Sequence, residues 1–174
     1  MKKAGIITLL VCLLIATVYT AALADNSYDP VYVVPYFIEE VTVYTDQEVI
    51  LAFPWISCTR GLTVSYLTAI HMDWMVDDLS LFASEEEFAE YWWPIFPEDQ
   101  TGCISGQKSQ GWTAVWVYSL GDYDETGEHA VSVEVWFDHP ITDGYDSNGD
   151  GIPDIYSGTL GVFTTTIHVV EPPP

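Results

Sequence analysis

An all-β, antiparallel sandwich is the fold class this sequence predicts, and three observations predict it. Short runs rich in Val, Ile, Thr, Tyr and Trp recur along the chain, separated by Gly, Pro, Asp and Asn. No long helical period alternates with them, so the βαβ rhythm of a parallel sheet is missing. A composition that is 49% hydrophobic and 14% aromatic supplies core material that a disordered chain lacks. A closed barrel is the competing arrangement.

The N-terminus reads as a targeting segment. Met1-Lys2-Lys3 is a short basic start, residues 4–22 are almost wholly apolar, and Ala22-Leu23-Ala24 forms an A-x-A cleavage pattern before Asp25. An uncleaved anchor is the alternative, because the apolar run is nearly long enough to span a bilayer. Cys12 follows Val11 rather than a small residue, which argues against a lipoprotein signal. With residues 1–24 read as a signal peptide, residues 25–174 make one domain, secreted or held at the cell surface. They carry all 26 acidic side chains against Arg60 and Lys108, a net charge of −24. Nothing on such a chain neutralises phosphate, so nucleic acid is excluded as a partner. Anionic membrane surfaces are excluded with it, and no membrane insertion is expected once the leader is cut.

The elements follow in order. Val31–Phe37 and Val41–Thr45 are short strands, the first marked as an edge by Pro35. Glu48–Ile56 is a mostly apolar run of the kind that forms a buried strand. Leu62–Leu67 is ambiguous between strand and helical turn. Met72, Trp74 and Val76 alternate with His71, Asp73 and Met75, and Asp77-Asp78 then makes a two-residue hairpin turn into Leu79–Phe82. Ser84 to Glu87 is a capping box that starts one short helix, with Phe88, Tyr91 and Trp92 on its apolar face and Pro94 as its stop. A Gly- and Ser-rich loop over 102–111 precedes three strong strands, Trp112–Leu120, Ala130–Phe137 and Thr159–Val170. Val131, Val133, Val135 and Phe137 share one face of the middle strand; Ser132, Glu134 and Trp136 share the other. The tail, residues 171–174, is Glu-Pro-Pro-Pro and reads as a stiff extended end.

Two cysteines remain in the exported part, Cys58 and Cys103. In an oxidising compartment they predict a structural disulfide, since neither sits in C-x-x-C; two unpaired buried thiols are the alternative. Closing a loop of that length stabilises by roughly 4 kcal/mol on chain-entropy grounds.

The order of these strands resembles an immunoglobulin-like sandwich of secreted prokaryotic proteins. The resemblance rests on Trp74 in a mid-chain strand followed by a hairpin, and on Gly127-Glu128-His129 opening the penultimate strand. In such domains a G-x-Y corner stands there, and His129 replaces its Tyr.

Asp146-Ser147-Asn148-Gly149-Asp150-Gly151-Ile152-Pro153-Asp154 carries the strongest chemical signal. Calcium takes six to eight hard oxygens, which alternate positions of a tightly wound loop can supply. Asp146, Asn148, Asp150 and Asp154 would offer side-chain oxygens and Ile152 its carbonyl, with Asp143 as an upstream candidate, placing a Ca2+ loop at 143–157. The segment resembles the EF-hand loop and the calcium repeats of thrombospondins, especially in its Gly-Ile-Pro-Asp ending. Unlike the EF-hand it has Ser157 at the twelfth position and no flanking amphipathic helices. A plain acidic turn is the alternative, because Asp, Asn, Gly and Pro all favour turns.

Other chemistry has less support. His71, His129, His139 and His168 form no zinc-ligand spacing. Asp138 and His139 are strand neighbours expected on opposite faces, so no dyad is expected there. G-x-S-x-G is absent, and Glu134 alone does not make a glycosidase pair. The sequence therefore points away from an enzyme, toward a calcium-stabilised extracellular structural or interaction module with a protein or polysaccharide partner. An alternative is a carbohydrate-binding module using Trp93 or Trp136 as stacking rings.

Overall fold

The computed structural model describes residues 28–99, 103 and 110–173. The leader, most of the loop at 102–111 and Pro174 lie outside the described residues. Over the rest the chain is mainly β, 56% strand against 10% helix, in two mixed sheets packed face to face.

The four-stranded sheet has the order β1 (Val31–Val33), β3 (Val49–Ser57), β7 (Gln110–Gly121) and β6 (Phe96–Asp99). The five-stranded sheet runs β2 (Glu40–Tyr44), β9 (Ile155–Val170), β8 (Gly127–Thr142), β4 (Ile70–Val76) and β5 (Leu79–Ser80). The β3–β7, β6–β7, β8–β9, β4–β8 and β4–β5 ladders are antiparallel. Two edge ladders depart from the antiparallel arrangement expected: β1 lies parallel to β3, and β2 parallel to β9. The cause is the route of the chain. The strand between β1 and β3 is placed in the opposite sheet, so β1 and β3 become neighbours running the same way. The reversal falls at Pro35, where Val34 O accepts from Phe37 N and Ile38 N.

The predicted alternation of β8 is realised. Val131, Val133 and Val135 are fully buried and Phe137 nearly so, facing Val33, Leu51 and Phe53 across the core. Trp74 of β4 and Trp116 of β7 meet between the sheets, stacked at 4.7 Å and 16°. The β4–β5 hairpin also forms, with Asp77 and Asp78 both at positive φ (50° and 65°). A turn of that twist matches the flanking strands.

The helical content differs from the single short helix expected. The ambiguous segment is a helix, α1 (Arg60–Ala69), capped by Thr59, whose hydroxyl accepts from Leu62 N at 3.3 Å. Thr63, Tyr66 and Ala69 recur at helical spacing and are buried. Tyr66 lies flat on Trp55 at 4.3 Å and 6°, so α1 closes one end of the sandwich. The expected helix, α2 (Glu85–Ala89), is shorter than its pattern suggested. Ser84 caps it by accepting from Glu87 N, but the chain leaves the helix at Glu90. Tyr91 and Trp92 instead run beside β7, where Trp93 N donates to Val115 O and Val117 N to Tyr91 O. Their rings still converge with Phe88 around Trp116. Strand β6, interrupted by Pro97, carried no strong β signal.

Candidate functional site

The acidic segment forms the connection between β8 and β9, and its local folding follows from its own side chains. Asp146 accepts from three successive loop amides: Gly149 N at 2.6 Å and Asp150 N at 3.1 Å on Oδ1, and Gly151 N at 2.7 Å on Oδ2. Asn148 Oδ1 accepts from Asp150 N at 2.9 Å, and Asp150 Oδ1 from Ile152 N at 2.8 Å. Gly149 and Gly151 occupy left-handed conformations (φ 81° and 85°), which their missing Cβ permits. The loop closes on itself where Asp154 N donates to Tyr145 O at 2.7 Å. Asp154 Oδ2 receives both the backbone N–H and the hydroxyl of Ser147. The Ser147 hydroxyl, and then its amide, hold the Asp154 carboxyl below the usual carboxylate range.

Asp143 stands apart from these. It is only partly exposed, and burial pushes its carboxyl up; donation from Tyr145 N at 2.8 Å and Tyr156 OH at 3.0 Å opposes this, while the charge of Asp154 adds to it. No described ion pair brings a Lys or Arg to this loop.

The base of the loop is built on the disulfide. Cys58 and Cys103 are bonded, with Cα atoms 5.8 Å apart. Cys58 N donates to Asp143 O at 2.7 Å, and Cys103 bridges Tyr145 in an antiparallel pair. Gly144, at φ 85°, fits between them: a Cβ there would meet Cys58 Cβ at 2.8 Å, Leu62 Cδ1 at 3.0 Å and Cys58 Sγ at 3.2 Å. Both cysteines and α1 thus clamp the start of a loop more than 40 residues further along the chain. Spacing in the sequence carried no sign of this junction. Ser147, Tyr145 and Tyr156 were missed as loop partners for the same reason; only the Asp143-Gly144 dipeptide hinted at a tight turn.

The oxygen donors expected for a cation are therefore all in one loop, with their polar atoms largely turned onto loop amides. Among the described residues, no group of three or more His, Cys, Asp or Glu is gathered in a metal-holding arrangement. The described hydrogen bonds leave Asp150 Oδ2 and Asp154 Oδ1 uncommitted, and Ile152 is well exposed. Asp146, Asn148, Asp150, Asp154 and the Ile152 carbonyl are the groups that could hold a hard cation. Such an ion suits the donor set, which is oxygen throughout and, among the described residues, has no Lys or Arg ion-pair partner.

The aromatic candidates are separated. Trp93 lies near the β7 edge and is 37% exposed. Trp136 is half-buried on the outer face of the five-stranded sheet, stacked on His71 of β4 at 5.4 Å and 9°. Beside this pair Asp73 and Glu134 stand opposite one another in register. Asp138 and His139 do touch, contrary to the expectation of opposite faces: Asp138 Oδ1 meets His139 Nδ1. The register of β8 against β9 shifts between Phe137 and Ile141, which breaks the strict alternation there. His71 Nε2 lies 3.7 Å from the other oxygen of Asp138.

His129, at the corner position, binds the hairpin turn. Its Nδ1 is 2.8 Å from Asp77 Oδ2, its ring stacks on Tyr123 at 4.3 Å, and Asp77 Oδ1 accepts from Ala130 N. That hydrogen bond from His129 leads the causes that hold Asp77 below its usual value. The corner tie is thus made by an imidazole reaching the β4–β5 turn. No described helix is long and apolar enough to cross a membrane. The sequence matches no known family model, and no curated protein is significantly similar to it.

Proposed function

We propose that this chain is a non-enzymatic extracellular module: an immunoglobulin-like sandwich, exported by its leader, whose β8–β9 connection takes up calcium. The observation that carries the reading is the Asp146–Asp154 loop, an all-oxygen donor set seated on a disulfide. A loop whose base is clamped by a covalent bridge loses less entropy on binding an ion than a free acidic segment does. The ion would neutralise carboxylates that, among the described residues, pair with no Lys or Arg, and would fix the connection between the two longest strands. Its role is structural.

Titration calorimetry on chelator-stripped protein tests this. Saturable heat with a dissociation constant of about 10⁻⁴ to 10⁻³ M is expected, the range of extracellular calcium modules. Replacing Asp146 and Asp150 together by Ala removes it. An isotherm that stays flat at millimolar calcium sinks the proposal.

A carbohydrate-binding reading rests on a separate observation, the Trp136–His71 pair with Asp73 and Glu134 beside it. Aromatic faces stack on sugar rings while carboxylates accept from their hydroxyls. Tryptophan emission unchanged across a panel of polysaccharides removes that reading, as does a Trp136→Ala variant that binds them equally well.

A further inference from the structure

We propose that Asn148 is a self-modifying site, at which the folded loop promotes conversion of the side-chain amide to a carboxylate through a cyclic imide. Asn148 and Gly149 are both exposed, and the glycine amide has no Cβ beside it to hinder its approach to the Asn148 side chain. Two hydrogen bonds of the loop place a base and an oxyanion donor beside the reacting groups. The nucleophile is Gly149 N, whose proton is directed at Asp146 Oδ1 at 2.6 Å, a carboxylate positioned as general base. The electrophile is Asn148 Cγ, whose oxygen accepts from Asp150 N at 2.9 Å. A fixed N–H at that oxygen stabilises the negative charge which builds there when Cγ becomes tetrahedral.

The steps balance without any reagent but water. Gly149 N bonds to Asn148 Cγ while its proton passes to Asp146. The tetrahedral carbon then expels the amide nitrogen, which leaves as ammonia with that proton, and a five-membered imide remains. Water adds to one of the two imide carbonyls and opens the ring. One product is an aspartyl residue with the ordinary backbone; the other is an iso-linked residue with an additional methylene in the chain. Either outcome adds a carboxylate to a loop that holds Asp146, Asp150 and Asp154, and the iso-linked form also lengthens it.

The chemistry needs no bound cation, so its rate is read in chelator and stands apart from the calcium titration. The full chain is incubated at neutral pH, folded and in parallel in urea, and followed by peptide mass mapping with an assay for released ammonia. Only Asn26 and Asn148 are asparagines, so the modified position is easily assigned. Conversion at Asn148 about a hundredfold faster in the folded chain than in urea is expected, the low end of general-base contributions. Asp146→Asn is expected to remove most of that gain. Equal or slower conversion in the folded chain overturns the proposal, whether or not the variant folds. Modification confined to Asn26 or to glutamines overturns it too, as does an Asp146→Asn protein that folds and keeps the native rate.

Discussion

Gly144→Ala is the substitution that most directly probes how the acidic loop is seated. Two costs arise there. A left-handed conformation costs a non-glycine residue about 1–2 kcal/mol, and Gly144 sits at φ 85°. The added methyl would also lie 2.8 Å from Cys58 Cβ and 3.0 Å from Leu62 Cδ1. The first neighbour is held by a disulfide and cannot swing away, so an overpacking cost of about 1–3 kcal/mol applies in full. The sum is roughly 2–5 kcal/mol, a large share of a domain's stability. Gly149→Ala is the internal control: its φ is 81°, yet no atom lies within 4 Å of the added carbon. Only the conformational part, about 1–2 kcal/mol, remains there. Urea unfolding of both variants, read as shifts in midpoint at constant slope, measures the difference. Equal losses in the two would refute the close packing of the loop base on Cys58 and Leu62.

Other perturbations report on other joints of the fold. Replacing Cys58 and Cys103 together by Ser removes a 45-residue cross-link, worth about 4 kcal/mol by loop entropy. Hydrogen exchange at the Asp154 amide is expected to quicken in the same variant, because the Cys58–Asp143 and Cys103–Tyr145 contacts loosen together. Tyr66 OH is buried with no hydrogen-bond partner described. Tyr66→Phe is therefore expected to leave stability unchanged or raise it by up to about 1 kcal/mol in thermal unfolding, and a clear loss would mean that the hydroxyl is satisfied. Asp77 is held below its ordinary value chiefly by His129. A lowered folded pKa gives stability that is present above the unfolded value and is lost as the pH falls through the folded one. Asp77→Asn is thus expected to flatten the loss of stability on acidification below about pH 4, and an unchanged acid profile would remove the pair from the account.

What the sequence made legible was local. The period of two in β8 placed Val131, Val133, Val135 and Phe137 on the core face, because alternation is a property of the strand itself. Ser84 and Glu87 marked a helix start, Asp77-Asp78 a turn, and Asp146–Asp154 a loop, since in each case the side chain binds backbone nearby in the chain. Where the outcome depended on a distant partner, local pattern was silent. Leu62–Leu67 carries β-branched residues that suit either state. It became helical because Thr59 caps it and because Tyr66 finds Trp55 and Phe137 to pack against. The parallel edges of β1 and β2 were hidden likewise, since direction follows from which sheet each strand joins.

The acidic loop joins the two kinds of information. Its internal geometry is written in its own nine residues: carboxylates and an amide accept from loop N–H groups, and glycines take the left-handed turns. An isolated peptide of that sequence would have the same preferences but no fixed ends. The ends are supplied from Cys58, Leu62 and Cys103, which the sequence places far upstream. Fixing them matters for both readings of the loop. A cation held by several oxygens loses affinity if each must be ordered on binding, and an amide attacks its neighbour efficiently only from a held geometry. The disulfide thus links the two. Cutting it is expected to weaken calcium uptake and to slow the conversion of Asn148 together, whereas an acidic turn that owed nothing to its base would show neither change.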